Sequence, residues 1–488
     1  MKPMRSLFPP VLALLAGCSL APPYEKPAVP FASSYKEAGA WQTANPADAR
    51  ERGDWWREFN DTTLDDLETR LEQANPDLAA AADHYAQAQA FVAEARGGLF
   101  PQVDAYGQST RNRQSDHRPL RSASQPDEYS DHLIGAQLNY ELDLWGRVHN
   151  LVAAGAANAQ ASRADLASVQ LSLHADLADA YIALRGLDAQ NKLLADAVDA
   201  YGRALALTQN RLRGGIASGL DVARAQNQLD TARAQATDVQ ARRALLEHAI
   251  ARLIGDSASS FSIAPQIVEL PLPNVPAGVP STLLERRPDV AGAERRAAAA
   301  NAQIGVARTA FFPSITLTAA GGYESTGTAE WLTAPNDFWS IGPRAVLTLF
   351  DAGRRHARED EAKAAFAESG ERYRAVALSA FQQVEDNLAL LHLLGQETGE
   401  EQAAVASAQR TLNLALDRYR NGAVTYLEVV ESQTAALSAQ RTALALRDRQ
   451  LQASVGLVRA LGGGWSGLDT PDDAATRAAA TTVPVATR

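Results

Sequence analysis

Little in this sequence suits a conventional enzyme core. Among 488 residues stand one Cys, two Met and 6% aromatics, so an internal disulfide is excluded and a large aromatic core is not available. Excess positive charge is missing as well. A net charge of −11 argues against a nucleic-acid partner, because phosphate binding needs clustered Lys and Arg. Beyond the N-terminus no run of 18 or more apolar residues occurs, so no membrane-spanning helix is expected. The eight His residues are scattered without metal-ligand spacing, and no G-x-S-x-G, P-loop or dinucleotide fingerprint is present. Asp65-Asp66 and Glu400-Glu401 read as solvated helix faces. No active site, cofactor site or metal site is legible.

What the chain does have is alanine and repetition. The 46% hydrophobic content is carried heavily by Ala, a strong helix former that lets helices approach closely. Arg211 to Gln226 reads RLRGGIASGLDVARAQ, and Arg418 to Gln433 reads RYRNGAVTYLEVVESQ. A constant 207 positions separate Gly215 from Gly422, Leu220 from Leu427 and Gln226 from Gln433. Upstream, NPDLAAAADHYAQAQAFVAEARGGLFPQV aligns without a gap on RPDVAGAERRAAAANAQIGVARTAFFPSI, with 212 positions from Pro76 to Pro288 and from Pro101 to Pro313. The chain is a duplication, with five residues gained or lost between Pro101 and Gly146.

Each half holds 67 residues without Pro, Arg147 to Arg213 and Arg354 to Arg420. As continuous helix each would reach about 100 Å. Both are expected to soften midway, near Arg185 to Asp188 and near Gly395 to Gly399. Gly214-Gly215 and Asn421-Gly422 then turn the chain. Ser218 and Thr425 can cap returning helices that run to about Ile254 and Leu461, where Gly255 and Gly462 end them. Such turns would lie together at a tip far from the strands.

Between the helices each half alternates apolar and polar residues, which predicts strands at about 102–110, 134–144, 313–323 and 339–350. Tyr106, Tyr140, Trp145, Tyr323, Trp331, Phe338 and Trp339 cluster at strand ends, as an aromatic girdle does. Four strands cannot close a barrel, so if they cross a membrane several chains must share one. The leader supplies a membrane link. Lys2 and Arg5 precede a short apolar run ending in Leu15-Ala16-Gly17-Cys18, which resembles the lipobox of bacterial lipoproteins.

The predicted organisation is a signal peptide at 1–17, a lipid-anchored tether at 18–60, a first repeat at 61–262, a Pro-rich surface connector at 263–282, a second repeat at 283–462 and a flexible tail at 463–488. The motifs PPYEKPAVP, DWWREFNDTTLDDL, NPDL and RPDV, the paired AR-x-x-x-FP segments, LDLWGR and both turns follow one another over nearly the whole mature chain. In that order they resemble the outer-membrane factor family of tripartite efflux systems, the group of the TolC and OprM channels, in its NodT-type lipoprotein branch.

The resemblance implies an α+β membrane protein: a homotrimer with a shared twelve-stranded outer-membrane β-barrel, four strands per chain, continuous with a periplasmic α-helical barrel. It implies cleavage and acylation at Cys18, palmitate included, and an outer-membrane location. Expected partners are a periplasmic adaptor protein and an inner-membrane transporter of the RND type. The implied periplasmic gate falls on Asp221, Tyr419, Leu427, Glu428 and Glu431. The implied adaptor-docking turns fall on Gly214, Gly215, Ser218, Asn421, Gly422 and Thr425. An Arg that supports the gate in some relatives falls at Val424, leaving Arg211, Arg213 or Arg420 to replace it. The function implied is passive conduction of small molecules, with no catalysis. Type I protein secretion and a lipid-anchored periplasmic coiled-coil scaffold are the alternatives.

Overall fold

The computed structural model describes residues 19–30, 34–38, 53–117, 126–273 and 286–465, together with Ser122, Ser124 and Val275. The leader, Cys18 and the tail beyond residue 465 lie outside the described residues. The chain divides into two compact units. One comprises residues up to Pro27, Tyr85–Ser162 and Ala293–Tyr373; the other comprises Ala28–His84, Arg163–Gly292 and Arg374 onward.

Helices α1 (Thr62–Ala74) and α2 (Pro76–Gly97) come first, followed by β1 (Gln102–Arg113) and β2 (Glu128–Glu141). The long helix α3 (Arg147–Arg213) and its return α4 (Gly219–Leu253) complete the first repeat. The second repeat repeats the order: α5 (Pro288–Thr309), β3 (Ser314–Ser325), β4 (Asp337–Val346), α6 (Arg354–Arg420) and α7 (Tyr426–Ala460). Corresponding helices have equal lengths, 22 residues in α2 and α5, 67 in α3 and α6, and 35 in α4 and α7. The duplication read from sequence is thus a duplication of structure.

The strands form one antiparallel sheet in the order β1-β2-β3-β4. The strand boundaries depart most from expectation at the start of β2 and the end of β4. β2 starts at Glu128, because the polar segment Glu128–Leu133, which shows no alternation, pairs residue for residue with Gln108–Arg113 of β1. β4 stops at Val346 although Leu347, Thr348 and Leu349 continue to alternate. Its partner β3 begins at Ser314, opposite Val346, and Pro313 before it has no N–H to extend the ladder.

In the second unit, α1 is fixed at its start by Asp61, whose side chain accepts from the backbone N–H of Thr63 at 2.8 Å and Leu64 at 3.2 Å. Leu64, Leu67 and Leu71 bury its inner face, each contributing about 1.5–3 kcal/mol. Trp55, Trp56 and Phe59 are buried just before it.

The expected mid-helix breaks do not occur, since α3 and α6 run unbroken. Gly186 serves close approach instead: a Cβ there would overlap the Asp448 carboxyl of α7. Gly395 and Gly399 have open space where a Cβ would lie. Each costs about 1 kcal/mol of helix propensity, too little to interrupt so long a hydrogen-bond ladder.

Nor does the connector pass freely over the surface. Ile263, Leu270 and Val275 are buried. Arg185 donates to the Ala264 carbonyl at 2.9 Å, Arg243 to that of Ile263 at 2.6 Å and Arg447 to that of Leu270 at 2.7 Å. Arg185 and Arg243 also share the buried Asp188, at 3.0 and 2.7 Å. Losing one partner of such a network costs about 3–5 kcal/mol by stranding the others.

Candidate functional site: a two-faced sheet and two helical turns

The strand register sorts the sheet into two unlike faces. Ile315, Leu317, Ala319, Gly321 and Tyr323 of β3 stand opposite Ala345, Pro343, Ile341, Trp339 and Asp337 of β4. Across β2 the same row continues through Tyr140, Leu138, Ala136 and Ile134, and then through Val103, Ala105 and Gly107 of β1. From Val103 to Gly107 and across to β4 that face carries only apolar or small residues and Tyr, apart from Asp337 at its end; beyond that row it turns polar, through Ser109, Arg111, Arg113, Glu128, Ser130, His132 and Ser325. The opposite face carries Asp104, Gln137, Asn139, Thr316, Thr318, Ser340 and Arg344. Apolar on one side and polar on the other is the pattern of a strand set between lipid and a watery lumen.

Three of the expected girdle aromatics, Tyr140, Tyr323 and Trp339, lie on the apolar face toward its two ends. Tyr106 and Phe338 lie on the polar face. The Tyr106 ring lies over Gly135, where a Cβ would come within 2.9 Å of its hydroxyl. Trp145 stacks on Phe312 at 4.8 Å, and its indole N–H donates to the Pro313 carbonyl at 2.7 Å. Trp331 lies tilted against His132 at 5.7 Å.

The segment after Cys18 is docked within the first unit. Ser19 Oγ donates to Asn150 Oδ1 at 2.7 Å, Asn301 donates to the Pro22 carbonyl at 2.8 Å, and Tyr24 donates to Glu294 Oε1 at 2.7 Å. Gly305 makes room for it, since a Cβ there would come within 2.8 Å of Ala21 Cβ. Burial and the Glu294 carboxylate push the Tyr24 hydroxyl well above its ordinary pKa.

The two turns belong to the second unit. Gly215 at φ +74° and Gly422 at φ +76° adopt the left-handed conformation that ends α3 and α6. Gly214 and Asn421 continue the helical hydrogen bonding, through Asn210 and Asp417 carbonyls, each at 3.1 Å. Ser218 caps α4: its hydroxyl accepts from Asp221 N–H at 3.2 Å, and Asp221 Oδ2 accepts from Ser218 N–H at 3.0 Å. Thr425 occupies the equivalent position without a side-chain cap.

Behind the turns lies a buried cluster of Tyr201, Leu205, Leu229, Tyr419, Tyr426 and Val429. Tyr419 meets Tyr426 edge to face at 5.3 Å, and its hydroxyl lies 3.4 Å from Thr208 Oγ1. Burial, reinforced by Tyr419, pushes the Tyr426 hydroxyl up to about 12. The Arg211 guanidinium lies 4.5 Å from the Tyr419 ring centre and donates to the Tyr419 carbonyl. Arg213 instead bonds Asn210, and Arg420 bonds Asp417. Of the three arginines weighed for the Val424 position, Arg211 is the one on the tyrosine.

Asp221 does not meet Tyr419 within one chain, because its carboxylate is committed to the cap. Leu427, Glu428 and Glu431 are exposed on α7 and are not brought together with Asp221. Sequence reasoning missed Thr208 and Tyr426. The helical spacing of Tyr201, Leu205 and Thr208, with Tyr426 first after a cap, was the available signal.

A sheet with one apolar face and two open edges, carried on a duplicated frame of long helices, defines an outer-membrane channel of the efflux class. The chain belongs to the outer membrane efflux protein family, whose model matches residues 68–256 and 279–463. It is 33% identical over 462 residues to the pyoverdine export outer membrane protein OpmQ of Pseudomonas aeruginosa, covering 93% of this chain and 97% of that one. To the toluene efflux pump outer membrane protein TtgF of Pseudomonas putida it is 32% identical over 463 residues, covering 93% and 96%. Among solved structures it resembles the outer-membrane channel OprN, with a TM-score of 0.85 at 26% identity over 92% of this chain and 100% of that one. It also resembles the open state of the Neisseria gonorrhoeae MtrE outer membrane channel, with a TM-score of 0.79 at 26% identity over 93% and 100%. The expected α+β channel fold and the non-enzymatic efflux role are borne out.

Proposed function

We propose that three copies of this chain join through the open edges of β1 and β4 into one barrel, and that the pore conducts small molecules outward without binding them tightly. The observation that carries this reading is the two-faced sheet: four strands with an apolar side suit a bilayer but cannot seal themselves. A periplasmic adaptor and an inner-membrane transporter of the RND type would feed the pore, with the adaptor docking on Gly214, Gly215, Ser218, Asn421, Gly422 and Thr425. Acyl chains on Cys18 would anchor the mature N-terminus in the outer membrane, each methylene contributing about 0.8 kcal/mol. Relatives named for pyoverdine export and toluene efflux support a small-molecule cargo over a secreted protein.

At the entrance, Tyr419 with Arg211 would hold the turns of the two repeats together, while Leu427, Glu428, Glu431 and Asp221 line the narrowing. Glu428 and Glu431 lie three apart and so share one side of α7. Three chains would bring six such carboxylates to one opening, where a ring of them attracts cations. Replacing both with Gln should lower the cation selectivity of single channels in planar bilayers. Unchanged reversal potentials in a salt gradient would remove the acidic ring from the account.

A further inference from the structure

A cavity of about 490 Å³ lies in the second unit between α3, α6, α7 and the connector. Ile182, Leu446 and Leu451 make it largely apolar, and three carboxylic acids line it: Glu269 from the connector, Glu401 from α6 and Asp448 from α7. Asp448 lies against Gly186 of α3, whose missing side chain gives the carboxyl its seat. A helix that accepts Gly at that position, at a cost of about 1 kcal/mol, keeps a carboxyl where a methyl group would otherwise sit.

Among the described residues no hydrogen bond or ion pair satisfies that carboxyl. The two cations on the cavity wall are committed elsewhere. Arg447 donates to the Leu270 carbonyl at 2.7 Å. Arg185 is held by the Tyr181 hydroxyl at 3.0 Å, Asp188 at 3.0 Å and the Ala264 carbonyl at 2.9 Å. A partly buried carboxyl without a partner is costly to keep. Burial pushes Asp448 up to about 7, only partly countered by Arg447. The three acids do not form a metal site, since among the described residues no three His, Cys, Asp or Glu side chains converge as metal ligands would. The groups on hand, apolar walls and an uncompensated carboxyl, are those that hold an organic ammonium or iminium with a hydrophobic body.

We propose that this cavity is a binding site for amphipathic organic cations, with Asp448 as the counter-ion and Glu269 and Glu401 drawing the positive charge to the mouth. The cavity shares no residue with the turns, so it would act on molecules held within the helical region and not as the gate.

The test uses the full-length protein in detergent and a permanently charged aromatic cation, rhodamine 6G, followed by fluorescence anisotropy with protein-free micelles as the blank. Because the dye does not titrate, any pH dependence belongs to the protein. The other charged groups lining the cavity are Arg185, Glu269, Glu401 and Arg447, and of these only the carboxylates could add to the change. Saturable binding is expected that tightens from pH 5.5 to pH 8. D448N should weaken it about tenfold at pH 8 and leave it nearly unchanged at pH 5.5, whereas E401Q should weaken it less. Circular dichroism on both variants confirms that the helices are intact. Absence of saturable binding, or an affinity at pH 8 that D448N leaves untouched, would overturn the assignment and make the cavity an apolar void only.

Discussion

Asp179 sits on α3 with one carboxyl oxygen, Oδ1, shut away from any partner. Burial raises its pKa from an ordinary 3.8 to about 7, against a smaller opposing pull from Arg459. A carboxyl whose folded value exceeds its unfolded one stabilises the fold below the unfolded value, and that contribution disappears as pH rises through the folded value. The native protein should therefore lose stability from about pH 4 to pH 7 through this group. Asp179→Asn removes the titration. The midpoint of thermal unfolding of the variant should exceed that of the native protein, and by more at pH 8 than at pH 5; equal midpoints at both values would show that Asp179 is solvated.

Single residues also show where sequence reading stopped. Gly186 was legible as a helix breaker, but a glycine that breaks a helix and one that admits a neighbouring side chain look alike until the neighbour is known. The same held for Arg211, Arg213 and Arg420, which spacing alone could not rank. Only the packing of α3 against α6 sets one guanidinium over Tyr419.

At the scale of elements the sequence was far more informative, because helix length and register leave periodic traces. Pro-free runs gave α3 and α6 to the residue, and the constant offsets gave the pairing of α4 with α7. The sheet was partly legible. Alternation located β1 and β3, but Glu128–Leu133 pairs in spite of its composition, held by β1 across the hairpin. Which aromatics share a face depends on register, so Tyr106 and Phe338 could not be told from Tyr140 and Trp339.

The register yields a sharp contrast. A charge on the apolar face costs about 2–4 kcal/mol at mid-bilayer depth, while a charge facing the lumen is tolerated. Leu138→Arg, in the middle row of the apolar face beside Ala319, should sharply reduce the fraction of protein recovered from outer membranes in heat-modifiable form. Gln137→Arg, on the polar face, should leave it near the native level. Similar recovery of the two variants would contradict the assignment of faces.

At the scale of the whole molecule the open edges of β1 and β4 dominate. An unpaired edge exposes a row of N–H and C=O groups, and in lipid each unsatisfied group costs several kcal/mol. The apolar face cannot simply be left to water either, since Trp339 and Ile341 on it are 76% and 68% exposed in the single chain. Joining edge to edge with copies of itself answers both demands, and the chain's membership of an outer membrane efflux family places that joining in a bilayer.

The most direct measurement of this claim is the mass of the assembled protein, released from the outer membrane in mild detergent and weighed by native mass spectrometry. Three chains in a single complex, with the sheet amides protected from hydrogen exchange along β1 and β4, is the predicted result. A complex of one chain whose edge strands exchange freely would contradict it.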